Sequence, residues 1–172
     1  KEWDIETMTE VAKLLTVDSN GKDATQAEFD PANIQQFGFQ AQWLDLRGTL
    51  SMFGAGKLVA DDNKTAQVPE AWQAAANWYY DGIWKEHFIP NATYISSERL
   101  KASGGEFDSG HVGMAYTHLW YTCCATNVKN WDVAVPPSYN GVTTANLHVD
   151  TFRIMKDSKH PDEAFQVLEW LT

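Results

Sequence analysis

Basic residues are scarce in this chain, cysteine nearly absent, and long apolar runs missing. Thirteen lysines and arginines stand against twenty-three aspartates and glutamates, and the resulting charge of −10 repels nucleic acid and anionic membrane surfaces. No stretch nears the roughly 18 apolar residues that a membrane-spanning helix needs. The sequence starts at Lys1 with neither Met nor an apolar leader, so it reads as an excised segment of something longer. Its only cysteines, Cys123 and Cys124, are adjacent. A disulfide between neighbours is a strained small ring, so no disulfide framework follows and cysteine usage does not reveal the compartment.

The usual catalytic signatures are missing as well. There is no Gly-x-Ser-x-Gly, phosphate loop or dinucleotide fingerprint. His87, His111, His118, His148 and His160 include no i, i+4 pair, so no metal centre is expected, nor any other cofactor. Asp18-Ser-Asn20-Gly-Lys22 opens like a calcium loop, but Lys22 stands where an oxygen ligand belongs and Phe29 where the closing glutamate belongs. Asp61 and Asp62 are adjacent, whereas glycoside hydrolysis needs two carboxyls facing each other about 5–9 Å apart.

What is present fits one core: 172 residues, 44% hydrophobic, expected to form a single domain over residues 1–172. Asp4 can cap a helix carrying Met8, Val11, Ala12 and Leu15, with Trp3 stapled over Met8. Residues 18–36 read as loop and 37–43 as a short strand. Glycines at 48, 54 and 56 break residues 44–59 into a short helix and a turn. Pro69 opens the clearest helix, on which Trp72, Ala75, Ala76, Tyr79, Tyr80, Ile83 and Trp84 recur at helical spacing. After a loop over 85–95 and a helical turn over 96–101, strands are expected at 112–119, 131–135 and 151–155. A last amphipathic helix begins near Pro161. The class is α/β, α+β-like, helix-rich with short strands.

Eight tryptophans are the chemical resource. A sugar ring has apolar C–H faces that stack on indole, while its hydroxyls need polar partners beside the ring. Trp72, Trp84 and Trp170 lie on helical stripes and read as core. Trp43 and Trp120 follow predicted strands into loops, where binding residues concentrate. Alternation places Tyr116 and His118 on one strand face, either as ligand-facing groups or as the polar side of a half-buried strand. Asp45 and Arg47 either edge a cleft or form a surface ion pair worth less than about 1 kcal/mol.

Two segments resemble the extracellular solute-binding proteins of sugar-importing ABC transporters. Phe107, Gly110, Gly113 and Met114 are similar to the family's Phe-x-x-Gly-x-x-Ala-Met segment. Ile154, Lys156, Ser158, Lys159, Pro161 and Ala164 are similar to its Ile-x-Lys-x-Ser-Lys-x-Pro-x-x-Ala segment. Trp3, Ala12, Leu15 and Thr16, followed by Phe37-Gly38-Phe39, resemble its helix and strand further upstream.

The resemblance implies the second, C-terminal lobe of a two-lobed periplasmic-binding-protein-like fold, with the first lobe absent from this chain. It implies a sugar or oligosaccharide ligand held between the lobes, ABC permease subunits as partners, no nucleic acid, and an extracytoplasmic location, periplasmic or lipid-anchored. It also implies no enzymatic step. The expected ligand-binding residues are Trp43, Arg47, Tyr116, His118, Trp120, His148 and Asp150. At His148-Val149-Asp150 the family often carries Gly-Gly-Ser, so a close backbone approach is lost and a carboxylate able to accept two hydroxyls is gained, unless Asp150 is only a turn residue. The alternatives are a glycoside-active enzyme domain, a protein-interaction module, and a same-fold receptor for peptides, metals or polyamines.

Overall fold

A computed structural model describes residues 2–101 and 105–171. Helix α1 (Ile5–Leu15) starts where expected, because the Asp4 carboxylate accepts the Thr7 N–H at 2.7 Å. Its buried stripe is Ile5, Met8 and Ala12, and Trp3 packs against the same cluster. Strand β1 (Val17–Asp18) pairs antiparallel with β2 (Ile34–Ala41), which pairs in parallel with β3 (Val112–Tyr116), giving the sheet order β1-β2-β3.

Strand β2 is buried on both faces, as central parallel strands are. Phe39 joins the main core with Met8, Phe53, Trp72 and Phe88, while Phe37 packs on the other side with Ile34, Leu100 and Val112. The connection from β2 to β3 carries α2 (Leu46–Leu50), α3 (Glu70–Trp84) and the short α4 (Ala92–Ile95). On α3, Trp72 is 3% exposed and its indole N–H donates to the Gly54 carbonyl at 2.9 Å, tying the helix to the 3-10 turn Ser51–Phe53.

Several expectations need correction. Strand β2 spans Ile34–Ala41 rather than 37–43, and the helical turn expected over 96–101 lies earlier, as α4 at Ala92–Ile95 inside the expected loop. The third strand ends at Tyr116 rather than Leu119, because a 3-10 turn, Leu119–Cys123, takes over. Residues 131–135 and 151–155 run without strand pairing, and Phe152 is 63% exposed, so their β-prone residues have no neighbouring edge to join. A hairpin went unread: β4 (Ser138–Tyr139) and β5 (Val142–Thr143) are joined by Asn140 and Gly141, both at positive φ, the signature Asn-Gly turn. Finally, Trp84 is 56% exposed, and α5 (Pro161–Leu171) keeps its amphipathic pattern without burying a residue, leaving Trp170 83% exposed. Among the described residues no helix is long and apolar enough to cross a membrane, and no three His, Cys, Asp or Glu side chains cluster to hold a metal. Thr172 lies outside the described residues.

Candidate ligand-binding site

The site begins where two parallel strands end level. Ala41 on β2 is in register with Tyr116 on β3, and the Gln42 N–H donates to the Tyr116 carbonyl at 3.1 Å. Residues leaving both strands therefore emerge side by side at their carboxyl ends, the usual place for a ligand crevice in an open α/β sheet.

Trp43 leaves β2 at φ +61, a left-handed conformation that is uncommon for a bulky residue and persists only where its surroundings enforce it. Its ring is tilted against Trp120, with centroids 6.3 Å apart. Trp120 rides on the 3-10 turn after β3 and lies nearly parallel to the His118 imidazole at 6.1 Å. His118 in turn meets His148 at 4.6 Å. This last contact joins segments thirty residues apart. The Asn146 N–H donates to the Tyr116 hydroxyl at 3.2 Å, and the Thr144 hydroxyl donates to the Ser51 carbonyl at 2.6 Å, so residues 144–150 are drawn over the strand ends.

Tyr116, His118, Trp120, His148 and Asp150 thus line one open cleft of about 1050 Å³. Trp43 borders a smaller hollow of about 300 Å³ with Gln40, Gln42 and Glu106, and touches the larger cleft through Trp120. Arg47 lines neither. Its guanidinium lies 3.5 Å from Asp45, both side chains being well exposed, which is the ion-pair geometry. Asp45 is the N-cap of α2, and the Gly48 N–H at 2.7 Å, aided by Arg47, holds its carboxyl below the usual carboxylate range.

Sequence reasoning passed over several cleft residues. Gln42 is 3% exposed and accepts the Phe107 N–H at 3.0 Å; its signal was a polar residue recurring at the end of an apolar strand. Thr117 lines the large cleft with a hydroxyl that is buried and finds no hydrogen-bond partner. Asn146 and Trp131 also face this cleft and were legible only after folding. Burial pushes the Tyr121 hydroxyl above the ordinary phenol value. The cleft offers indole faces, imidazoles, hydroxyls and amides, with the carboxylates of Asp132 and Asp150 at its edge. Such a set stacks on a polyhydroxylated ring and hydrogen-bonds around its rim.

The family model of the bacterial extracellular solute-binding proteins matches residues 2–172. The chain belongs to that family. Two solved structures share the fold. The crystal structure of UspC from M. tuberculosis is 22% identical with a TM-score of 0.62, over 95% of this chain and 42% of that one. The maltose/maltodextrin-binding domain MalE from Bdellovibrio bacteriovorus, bound to maltotriose, is 17% identical with a TM-score of 0.59, over 100% of this chain and 44% of that one. The chain therefore spans less than half the length of either structure. No curated protein matches the sequence.

Proposed function

We propose that this solute-binding protein segment is the second, C-terminal lobe of a carbohydrate receptor serving an ABC importer, with residues 1–172 forming one domain. The observation that carries the reading is the aromatic rim: Trp43, Trp120, His118 and His148 in one chain of ring contacts at the level ends of β2 and β3. Tyr116 and Asp150 supply hydrogen-bonding groups in the same cleft, whereas Arg47 lies outside it in its ion pair with Asp45. The bound maltotriose of the Bdellovibrio structure supports an oligosaccharide as the ligand class. The first lobe of the same protein closes the cleft, permease subunits receive the closed form, and the receptor works outside the cytoplasm, periplasmic or lipid-anchored. No covalent bond changes in this cycle.

The test is calorimetry on the full-length receptor with glucose, maltose, maltotriose and, as a control, a tripeptide. Saturable binding of a saccharide is expected. Trp120→Ala and Trp43→Ala should each weaken it roughly 10- to 100-fold, about 1–3 kcal/mol, with an unchanged circular dichroism spectrum. Binding of the peptide alone, or undiminished sugar affinity in both variants, overturns the assignment.

A further inference from the structure

Cys123 and Cys124 close the same 3-10 turn that carries Trp120, and the ligand site makes no use of them. Their sulfurs lie 2.7 Å apart, Cys123 is exposed, and the chain contains no third cysteine. The turn is held at both ends. The Tyr121 N–H donates to the His118 carbonyl at 3.0 Å and the Cys124 N–H to the Tyr121 carbonyl at 2.8 Å. Beyond it the carboxylate of Asp108, 1% exposed, accepts the Asn127 N–H at 2.7 Å and its side-chain amide at 2.8 Å. Tyr121, 4% exposed, anchors the middle. Backbone anchors on either side leave the two side chains facing each other without further folding.

We propose that Cys123 and Cys124 form a redox modification site that closes to a disulfide between neighbours and stiffens the Trp120 turn. The inference rests on the extracellular setting of the family, where disulfides persist, and not on the identity of the ligand. The oxidant is of the disulfide class, a thiol oxidoreductase or oxidised glutathione. The Cys123 thiolate attacks one of its sulfurs, breaking that S–S bond, forming a mixed disulfide and expelling one thiolate. The Cys124 thiolate then attacks the Cys123 Sγ, forming the intrachain bond and expelling the second thiolate. Two electrons pass to the oxidant, and the two cysteine protons end on its two thiols. Cys123 is the entry point, because contact with Cys123, burial and the nearby Asp108 carboxylate push the Cys124 thiol up and keep it protonated for longer. Neighbouring Cα atoms are about 3.8 Å apart against the roughly 4.4–6.8 Å that disulfides prefer, so the ring is readily reduced and the site is reversible.

The experiment treats the full-length protein with oxidised glutathione, alkylates it and reads the tryptic peptide 102–129 by mass spectrometry. A peptide lighter by two hydrogens and carrying no alkyl group is expected, restored to two alkylated cysteines by reductant. Two alkylated cysteines without reductant, a lasting glutathione adduct on Cys123, or a cross-link to another peptide overturns the site. Hydrogen exchange across residues 119–126 should slow several-fold in the oxidised protein and be unresponsive to oxidant in the Cys123→Ser, Cys124→Ser double variant. Ring closure with unchanged exchange overturns the stiffening.

Discussion

Gly38 brings β2 close against the backbone of α1 at Ala12, and Thr16 bonds across the same contact. The Thr16 hydroxyl, fully buried, donates to the Ala12 carbonyl at 2.8 Å and accepts the Gly38 N–H at 2.9 Å, so one side chain fastens the last turn of α1 to β2. Thr16→Val keeps the shape but leaves the Gly38 N–H buried without a partner, and urea unfolding should show a loss of about 1–3 kcal/mol. Gly38→Ala is more severe, since its Cβ would overlap the carbonyl of Ala12 and sit 2.6 Å from that residue's Cα. Backbone cannot step aside as a side chain can, so the loss should reach or exceed about 3 kcal/mol. Gly113→Ala meets the Leu15 side chain at 3.0 Å and backbone only at the ordinary contact distance of 3.5 Å, the Gly38 carbonyl oxygen, so it should be milder. Asp18 contributes to the acid limb. Burial works against its charge, but the N–H groups of Lys22, Asp30 and Asn20 outweigh it and hold the carboxyl below its ordinary value. A carboxyl whose folded value is depressed adds stability above its unfolded value, near 3.9, and that contribution fades as the pH falls through the folded value. The stability gap between wild type and Asp18→Asn should therefore be full at pH 7 and shrink below about pH 4; a gap that widens on acidification would contradict this assignment.

At the scale of elements, α3 and α5 share a sequence pattern but not a role. Both are amphipathic, yet α3 buries Trp72, Ala75 and Gly82 whereas α5 buries nothing. Trp72→Ala should cost about 3–5 kcal/mol by chemical denaturation, and Phe165→Ser less than about 0.5 kcal/mol, because Phe165 is already 55% exposed. Equal losses in both variants would show that α5 is packed in solution. This contrast marks the limit of what sequence alone makes legible. Periodicity located α1, α3 and α5 to within a residue or two, since a helix is a local structure whose spacing and caps are written in neighbouring residues. It could not say which apolar stripe finds a partner. Strands depend on distant edges, so the extended runs at 131–135 and 151–155 looked like strands although no edge reaches them, while the Asn140-Gly141 hairpin lay in plain view. The cleft was half legible for the same reason. Tyr116 follows from the strand that bears it and Trp120 from the turn just beyond, but the contact of His118 with His148 and the placing of Asn146 arise only from tertiary folding.

For the whole molecule, the proposed mechanism turns on dividing the ligand contacts between two bodies. A ligand touching both lobes gains its full interaction energy only in the closed state, so it shifts the population toward closure without any new chemistry. The cleft described here is open on one side: Trp43 and Trp120 are 57% and 49% exposed, a large apolar area to leave in water unless something covers it. If a complete receptor binds its sugar at ~1 μM, about 8 kcal/mol, and this lobe supplies half the contacts, the segment alone retains ~4 kcal/mol and millimolar affinity. Calorimetry with maltotriose on the isolated segment and on the full-length protein, side by side, measures the division directly. The expected result is a roughly thousandfold gap, with the isolated segment near the detection limit. Micromolar binding by the segment alone would mean that the strand-end cleft is a complete site, and the shared-cleft mechanism would fall while the family membership stood.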